Sequence, residues 1–93
     1  MTKYILTLFG KGGHGAEPHE AIDTTVIVSE FVKKSSKHSN IEIISVISGD
    51  AFNVISGKAE VILKSNNKRL IENLASSLLI FYGENTRYTL KKI

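Results

Sequence analysis

Cysteine is absent from the 93 residues, which excludes disulfide bonds, thiolate nucleophiles and thiolate metal ligands together. Proline occurs once, at Pro18, and histidine three times. The longest apolar run near the N-terminus, Tyr4–Phe9, is interrupted by Thr7. It is too short for a signal-peptide core or a membrane span. We therefore expect a cytoplasmic chain without a membrane partner, too poor in ligands to be a complete metalloenzyme.

The length and composition indicate one globular domain with an ordinary surface. Apolar residues make up 42% of the chain and the mean hydropathy is +0.01, values that argue against disorder. The 12 Lys and Arg against 9 Asp and Glu leave a net charge of +3. That charge is normal for a small soluble domain and does not by itself indicate nucleic acid binding.

Four segments have the alternation or the β-branched composition of strands. They are Lys3–Phe9, Asn40–Ser48, Lys58–Lys64 and Thr86–Ile93. The first is apolar on both faces, which suits a central strand.

The first helix is predicted over Thr24–Lys37, where two signals conflict. The β-branched residues of Thr24–Val28 favour a strand. Against that, Asp23 can cap a helix, and several apolar side chains fall on one helical stripe. The members of that stripe are Ile27, Val28, Phe31 and Val32.

The second helix is predicted to begin after Asn66 or Asn67, either of which can serve as its N-cap. Its apolar residues recur with the period of an amphipathic helix. Gly83 is placed to end it through a left-handed C-cap. The apolar stripe consists of Leu70, Ile71, Leu74, Ala75, Leu78 and Leu79.

This element order predicts an α+β fold, a two-layer split β-α-β-β-α-β (ferredoxin-like) sandwich. Its four-stranded antiparallel sheet would carry both helices on one face, with the first and third strands central. The fourth strand is protected against pairing with another chain by the charged side chains of Arg87, Lys91 and Lys92. The second strand carries only Glu42 among apolar side chains, so we predict a homodimer interface at this strand and the first helix.

The loop after the first strand contains Gly10, Gly12 and Gly15 in the spacing G-x-G-x-x-G. In a dinucleotide-binding site a helix starts at the third glycine, and an acid follows about 20 residues later. Here Pro18 delays the helix, and Asp50 lies too far along the chain. No G-K-[ST] follows either, so the glycines indicate close backbone approach rather than phosphate binding.

Two motifs resemble a known family. The segment Gly10–Asp23 reads GKGGHGAEPHEAID, and Gly49–Ile55 reads GDAFNVI, followed by Ala59-Glu60-Val61. Together they resemble the dimerisation (lid) domain of the metal-dependent amidohydrolases and exopeptidases, which include aminoacylases, hippurate hydrolases and carboxypeptidases. The N-acyl amino acid amidohydrolase branch is the most similar. Ser56 departs from the family's usual proline.

The resemblance implies that residues 1–93 form a single lid domain whose catalytic domain is absent. The lid has no cofactor of its own, whereas the intact enzyme would hold two divalent metal ions, expected to be zinc. It would hydrolyse N-acyl amino acids or small peptides as a homodimer. His14 would reach the partner's active site and stabilise the oxyanion, Asn53 would bind the substrate, and this chain alone would have no activity.

Other interpretations remain open at this point. His14 could be a solvated loop histidine, and Asn53 a turn asparagine. His19 is read as structural, because a metal site would need a third ligand. RNA binding is disfavoured, since the third strand has no aromatic side chain. The alternative function is a stand-alone dimeric regulatory module that binds a small ligand such as an amino acid.

Overall fold

A computed structural model describes residues 1–10, 24–48, 57–83 and 86–93. These residues form four strands and two helices. The elements are β1 (Thr2–Phe9), α1 (Thr24–Ser35), β2 (Ile41–Ser48), β3 (Lys58–Ser65), α2 (Lys68–Tyr82) and β4 (Arg87–Lys92).

The strands form one antiparallel sheet in the order β2-β3-β1-β4. The predicted α+β, ferredoxin-like fold is confirmed, with β1 and β3 central and β2 and β4 at the edges. Both helices cover the same face, because their buried side chains join those of the central strands in one core. The opposite face of the sheet carries no helix among the described residues.

The core follows from the alternation of the central strands. Tyr4, Leu6 and Leu8 of β1 are buried under the helices, and they lie opposite buried residues of β3 in the register. Phe31 of α1 is fully buried as well. The predicted stripe of α2 is also confirmed, with Leu70 and Leu74 half-buried at its margin. The buried members of that stripe are Ile71, Ala75, Leu78 and Leu79.

The helix ends differ in detail from the prediction. The first helix stops at Ser35 rather than Lys37. Asn67 is the N-cap of α2, with its side chain accepting a hydrogen bond of 3.0 Å from the Leu70 N–H. Gly83 ends α2 at φ 94° and ψ −174°. The positive φ was predicted, but the ψ is extended, so this is not the left-handed α conformation.

The predicted uniform apolar edge of β2 is only partly correct. Ile41 is buried and Ile43 half-buried, whereas Ile47 is 64% exposed. The register shifts between Ile43 and Ser45, so Ile44 is an extra residue that forms a β-bulge. The bulge exchanges the faces of the residues that follow, a change that simple alternation in the sequence could not reveal.

Candidate functional site

The two motif-bearing segments attach to the same end of the sheet, here called the site end. Residues 11–23 connect Gly10 to Thr24, and residues 49–56 connect Ser48 to Gly57. The Gly10 N–H donates to the Gly57 carbonyl oxygen at 3.0 Å. His14, Asn53, His19 and Asp23 lie outside the described residues, so the structure leaves their predicted roles untested.

A second hydrogen bond ties α1 to β2 at the site end. Thr25 Oγ1 and Ser48 Oγ are 2.7 Å apart. This contact joins the first turn of α1 to the last residue of β2. The two hydrogen bonds therefore link β1 to β3 and α1 to β2 at the end of the sheet where both motif segments leave and return.

The chain ends lie at the opposite end of the sheet. The Ile93 N–H donates to the Lys3 carbonyl oxygen at 3.0 Å, which places the two ends of the described chain side by side. The ends lie together because β1 and β4 are neighbours in the sheet. A domain of this shape can be connected to another through two adjacent chain segments, with the site end pointing away from the junction.

The open face of the sheet carries a cation at the site end. The Arg87 guanidinium carbon lies 3.9 Å from the centre of the Phe9 ring, a cation–π contact between β4 and β1. The Lys58 ammonium lies 3.2 Å from Glu60 Oε1 along β3. Tyr4, by contrast, faces the helices. Among the described residues of β1 and β3, Phe9 is the aromatic side chain on this face.

An apolar surface follows the free edge of β2, and we call it the edge surface. It comprises Ile44, Val46 and Ile47 of β2, which are 45%, 41% and 64% exposed, and Val26 of α1, which is 51% exposed. Val26 is adjacent to the Thr25–Ser48 contact. The sequence analysis identified the strand but not Val26, an apolar residue that directly precedes the stripe residue Ile27.

A second exposed apolar pair lies on α2. Ile80 is 80% exposed and Phe81 is 83% exposed. Phe81 contacts Tyr82 edge-to-face at 5.3 Å. Phe81 is therefore not part of the core. Ile80 lies beside β4, near Arg87 and Tyr88. Phe81 borders the groove between α2 and α1. Both residues belong to α2, whereas the edge surface belongs to β2 and α1.

Metal ligands do not cluster in the part of the chain that the structure describes. No group of three His, Asp or Glu side chains there could hold an ion. The two metal ions that the resemblance implies therefore have no fitting donor set among these residues. Within the same ranges, neither helix is long and apolar enough to cross a membrane.

Comparison with known families identifies the domain type. A family model described as a peptidase dimerisation domain matches residues 1–73. YhaA of Bacillus subtilis (strain 168), which carries the name of an amidohydrolase, is 29% identical over 94% of this chain. An N-acyl-L-amino acid amidohydrolase of Geobacillus stearothermophilus is 29% identical over 63% of this chain.

Solved structures show the same fold. A protein from methicillin-resistant Staphylococcus aureus, named as an aminohydrolase, has a TM-score of 0.71 and 26% identity over 98% of this chain. An aminobenzoyl-glutamate utilization protein from Klebsiella pneumoniae has the same TM-score at 14% identity, which shows the fold alone. The chain spans 27% of YhaA, 19% of the Geobacillus enzyme and 29% of the Staphylococcus chain.

Proposed function

Because this chain belongs to the family of peptidase dimerisation domains, we propose that it pairs two subunits of a metal-dependent amidohydrolase and covers their active sites. It would act as a lid over residues 1–93, attached through its adjacent chain ends to a catalytic domain that holds the metal ions. The substrates would be N-acyl amino acids or small peptides. Catalysis would reside in the catalytic domain, so the 93-residue chain alone would not turn over substrate.

The observation that carries this proposal is the edge surface. An edge strand with three exposed apolar side chains is a liability for a monomer, because its outer edge offers both backbone hydrogen bonds and apolar area to another chain. The other edge, β4, is instead protected by exposed Arg87, Lys91 and Lys92. This asymmetry supports self-association through β2 and α1 rather than through β4.

His14 would supply the hydrogen bond that stabilises the oxyanion in the partner's active site. A donor in a glycine-flanked segment can approach a substrate closely. Gly10, which precedes the segment, is anchored to Gly57. Asn53 would contact the substrate from the second segment, which starts and ends at the same site end. The common attachment of the two segments supports a shared task.

Dimer formation can be tested by placing a charge in the edge surface. In Val46→Lys, burial of the ammonium at a subunit contact would oppose pairing, so we expect a monomer. Phe81→Lys is the matched control, since it replaces an exposed apolar side chain with lysine on the α2 side. Sedimentation equilibrium shows which of the two variants still forms dimers. A dimer that survives Val46→Lys, or is lost equally in Phe81→Lys, would contradict the proposal.

The His14 role requires the intact hydrolase. Loss of one oxyanion donor typically lowers kcat by about 10²–10³-fold, and we expect His14→Ala to do so with an unchanged dimer. His38→Ala is the control, because His38 lies at the other end of the sheet, before β2. Mixing His14→Ala chains with chains inactivated in the catalytic domain should restore activity if the histidine acts across the dimer. A kcat unaffected by His14→Ala would exclude the role.

The alternative function, a small-ligand module, has one feature in its favour. A groove of about 460 Å³ between α1 and α2 is lined by Glu30, Lys34 and Phe81, so it offers both charges that a free amino acid would need. Glu30 and Lys34 occur at positions i and i+4 of α1, where such pairs commonly satisfy each other. We expect no heat on titration with L-amino acids. Saturable binding that Glu30→Gln removes would replace the proposed lid function.

A further inference from the structure

The β-bulge divides β2 into two halves with different surroundings. Before it, Ile41 is 8% exposed and Ile43 is half-buried, and Glu42 lies opposite Lys64. After it, Ser45–Ser48 pairs with β3 without interruption. The exposed apolar side chains Ile44, Val46 and Ile47 belong to the bulge and to this second half. A second copy of the strand would therefore find regular backbone and apolar area only beyond the bulge.

The faces of the second half restrict how two copies can align. Val46 lies opposite buried Val61, so it is on the helix face, whereas Ser45 and Ile47 lie opposite Ile62 and Glu60 on the open face. Directly opposite residues of an antiparallel pair share a face. In a symmetric pair the two-fold axis must consequently pass through a residue and not between two residues. Ser45, Val46 and Ile47 are the available centres.

We infer that two copies of this chain pair their β2 strands antiparallel about a two-fold axis at Val46, a register that rests on the proposed dimerisation function. Val46 would then face Val46 of the partner subunit, and Ser45 would face Ile47 of the partner subunit. This centre pairs Ser45–Ile47 with the same residues of the second copy and sets Ser48 against Ile44, the bulge residue. An axis at Ser45 would extend the pairing through both bulges, and one at Ile47 would set apolar Val46 against the hydroxyl of Ser48.

The charges of α1 support the same axis. The exposed side chains of its first two turns, Thr25, Val26 and Ser29, are uncharged, whereas Lys33 and Lys34 are exposed near its end. Thr25 is level with Ser48 through their 2.7 Å contact.

Distances along the two elements show what each axis would bring together. Lys34 lines the groove beside α2, whereas Lys33 shares the side of α1 that carries Val26. Lys33 lies about 12 Å along the helix from Thr25, and Ile43 lies about 16 Å along the strand from Ser48. An axis before the bulge would therefore bring the two lysine-bearing ends together. An axis at Val46 places the two lysine-bearing helix ends on opposite sides of the interface. The exposed uncharged side chains near the start of each α1 then lie close together.

Single cysteines test the register directly, since the chain has none of its own. The variants are Ser45→Cys, Val46→Cys and Ile47→Cys, each first examined by circular dichroism for folding and by sedimentation for dimer formation. Disulfides require Cβ atoms about 3.5–4.5 Å apart, and a short thiol crosslinker extends that reach modestly. On mild oxidation we expect most of the Val46→Cys protein to become a covalent dimer. Ser45→Cys should link to Ile47→Cys when the two are mixed, and each should link poorly to itself.

The outcomes separate the register from the function. Efficient self-linking of Ser45→Cys or of Ile47→Cys would overturn the Val46 axis while leaving dimerisation through β2 intact. Dimers that persist in solution but form disulfides at none of the three positions would also overturn the Val46 axis. Monomeric wild-type chain at all concentrations tested would contradict the proposed pairing function itself.

Discussion

Gly83 combines a positive φ of 94° with an extended ψ of −174°. This region of backbone conformation is essentially restricted to glycine, and even asparagine, which tolerates the left-handed α conformation, does not reach it readily. Apart from the chain neighbours of Gly83, no atom of the described residues lies within 4 Å of the position that a Cβ would take. Any cost of a side chain here therefore comes from the backbone and not from crowding.

We expect Gly83→Ala to lower the free energy of unfolding by about 1–3 kcal/mol. Gly83→Asn should lose nearly as much, whereas in a left-handed α cap asparagine would recover part of the loss. Urea unfolding measures both, with the exposed Ser77→Ala of α2 as the control for a small change on the same helix. An asparagine variant close to wild type would show that the cap is left-handed α after all.

At the scale of elements, one buried hydroxyl joins the start of β2 to the start of α2. Ser65 is fully buried at the end of β3. Its hydroxyl donates to the Asn40 carbonyl oxygen at 2.7 Å and accepts the Asn67 N–H at 3.0 Å. Asn67 in turn caps α2 by accepting from the Leu70 N–H. One side chain thus satisfies two backbone groups at the turn that reverses the chain.

Ser65→Ala should destabilise the fold by about 1–3 kcal/mol, because it removes two part-buried hydrogen bonds, each worth about 0.5–1.5 kcal/mol, to the Asn40 carbonyl and the Asn67 N–H. Asn67→Ala should cost about 1 kcal/mol through loss of the cap. Since both changes affect one junction, the double variant should lose less than the sum of the two. Denaturant unfolding of the three variants gives the coupling, and strict additivity would argue against a connected junction.

The elements that neighbouring residues specify could be predicted from the sequence. The stripe of α2, the alternation of β3 and the asparagine cap needed only neighbouring residues, and all three are confirmed. The bulge at Ile44 depends on pairing with a strand distant in sequence, and nothing in the run Ile41–Ser48 reveals it. For the candidate site, the sequence supplied His14 and Asn53, and the fold supplies the common end to which their segments attach.

At the scale of the whole molecule, folding that is coupled to dimerisation should make the free energy of unfolding depend on the chain concentration. If dissociation and unfolding are coupled, a tenfold rise in chain concentration adds about 0.7 kcal/mol per subunit, half of the 1.4 kcal/mol that a tenfold change in equilibrium represents. In a domain of this size that amounts to an increase in Tm of roughly 3–5 °C. We expect calorimetry to show this increase for the wild type and for Phe81→Lys, which leaves the edge surface unchanged. Val46→Lys should show one Tm at all concentrations, lower than that of the wild type, because its folded state gains nothing from a partner. A wild-type Tm that is independent of concentration, over a range where sedimentation shows dimers, would mean that the subunits separate before they unfold and that the edge surface contributes little to the stability of the fold.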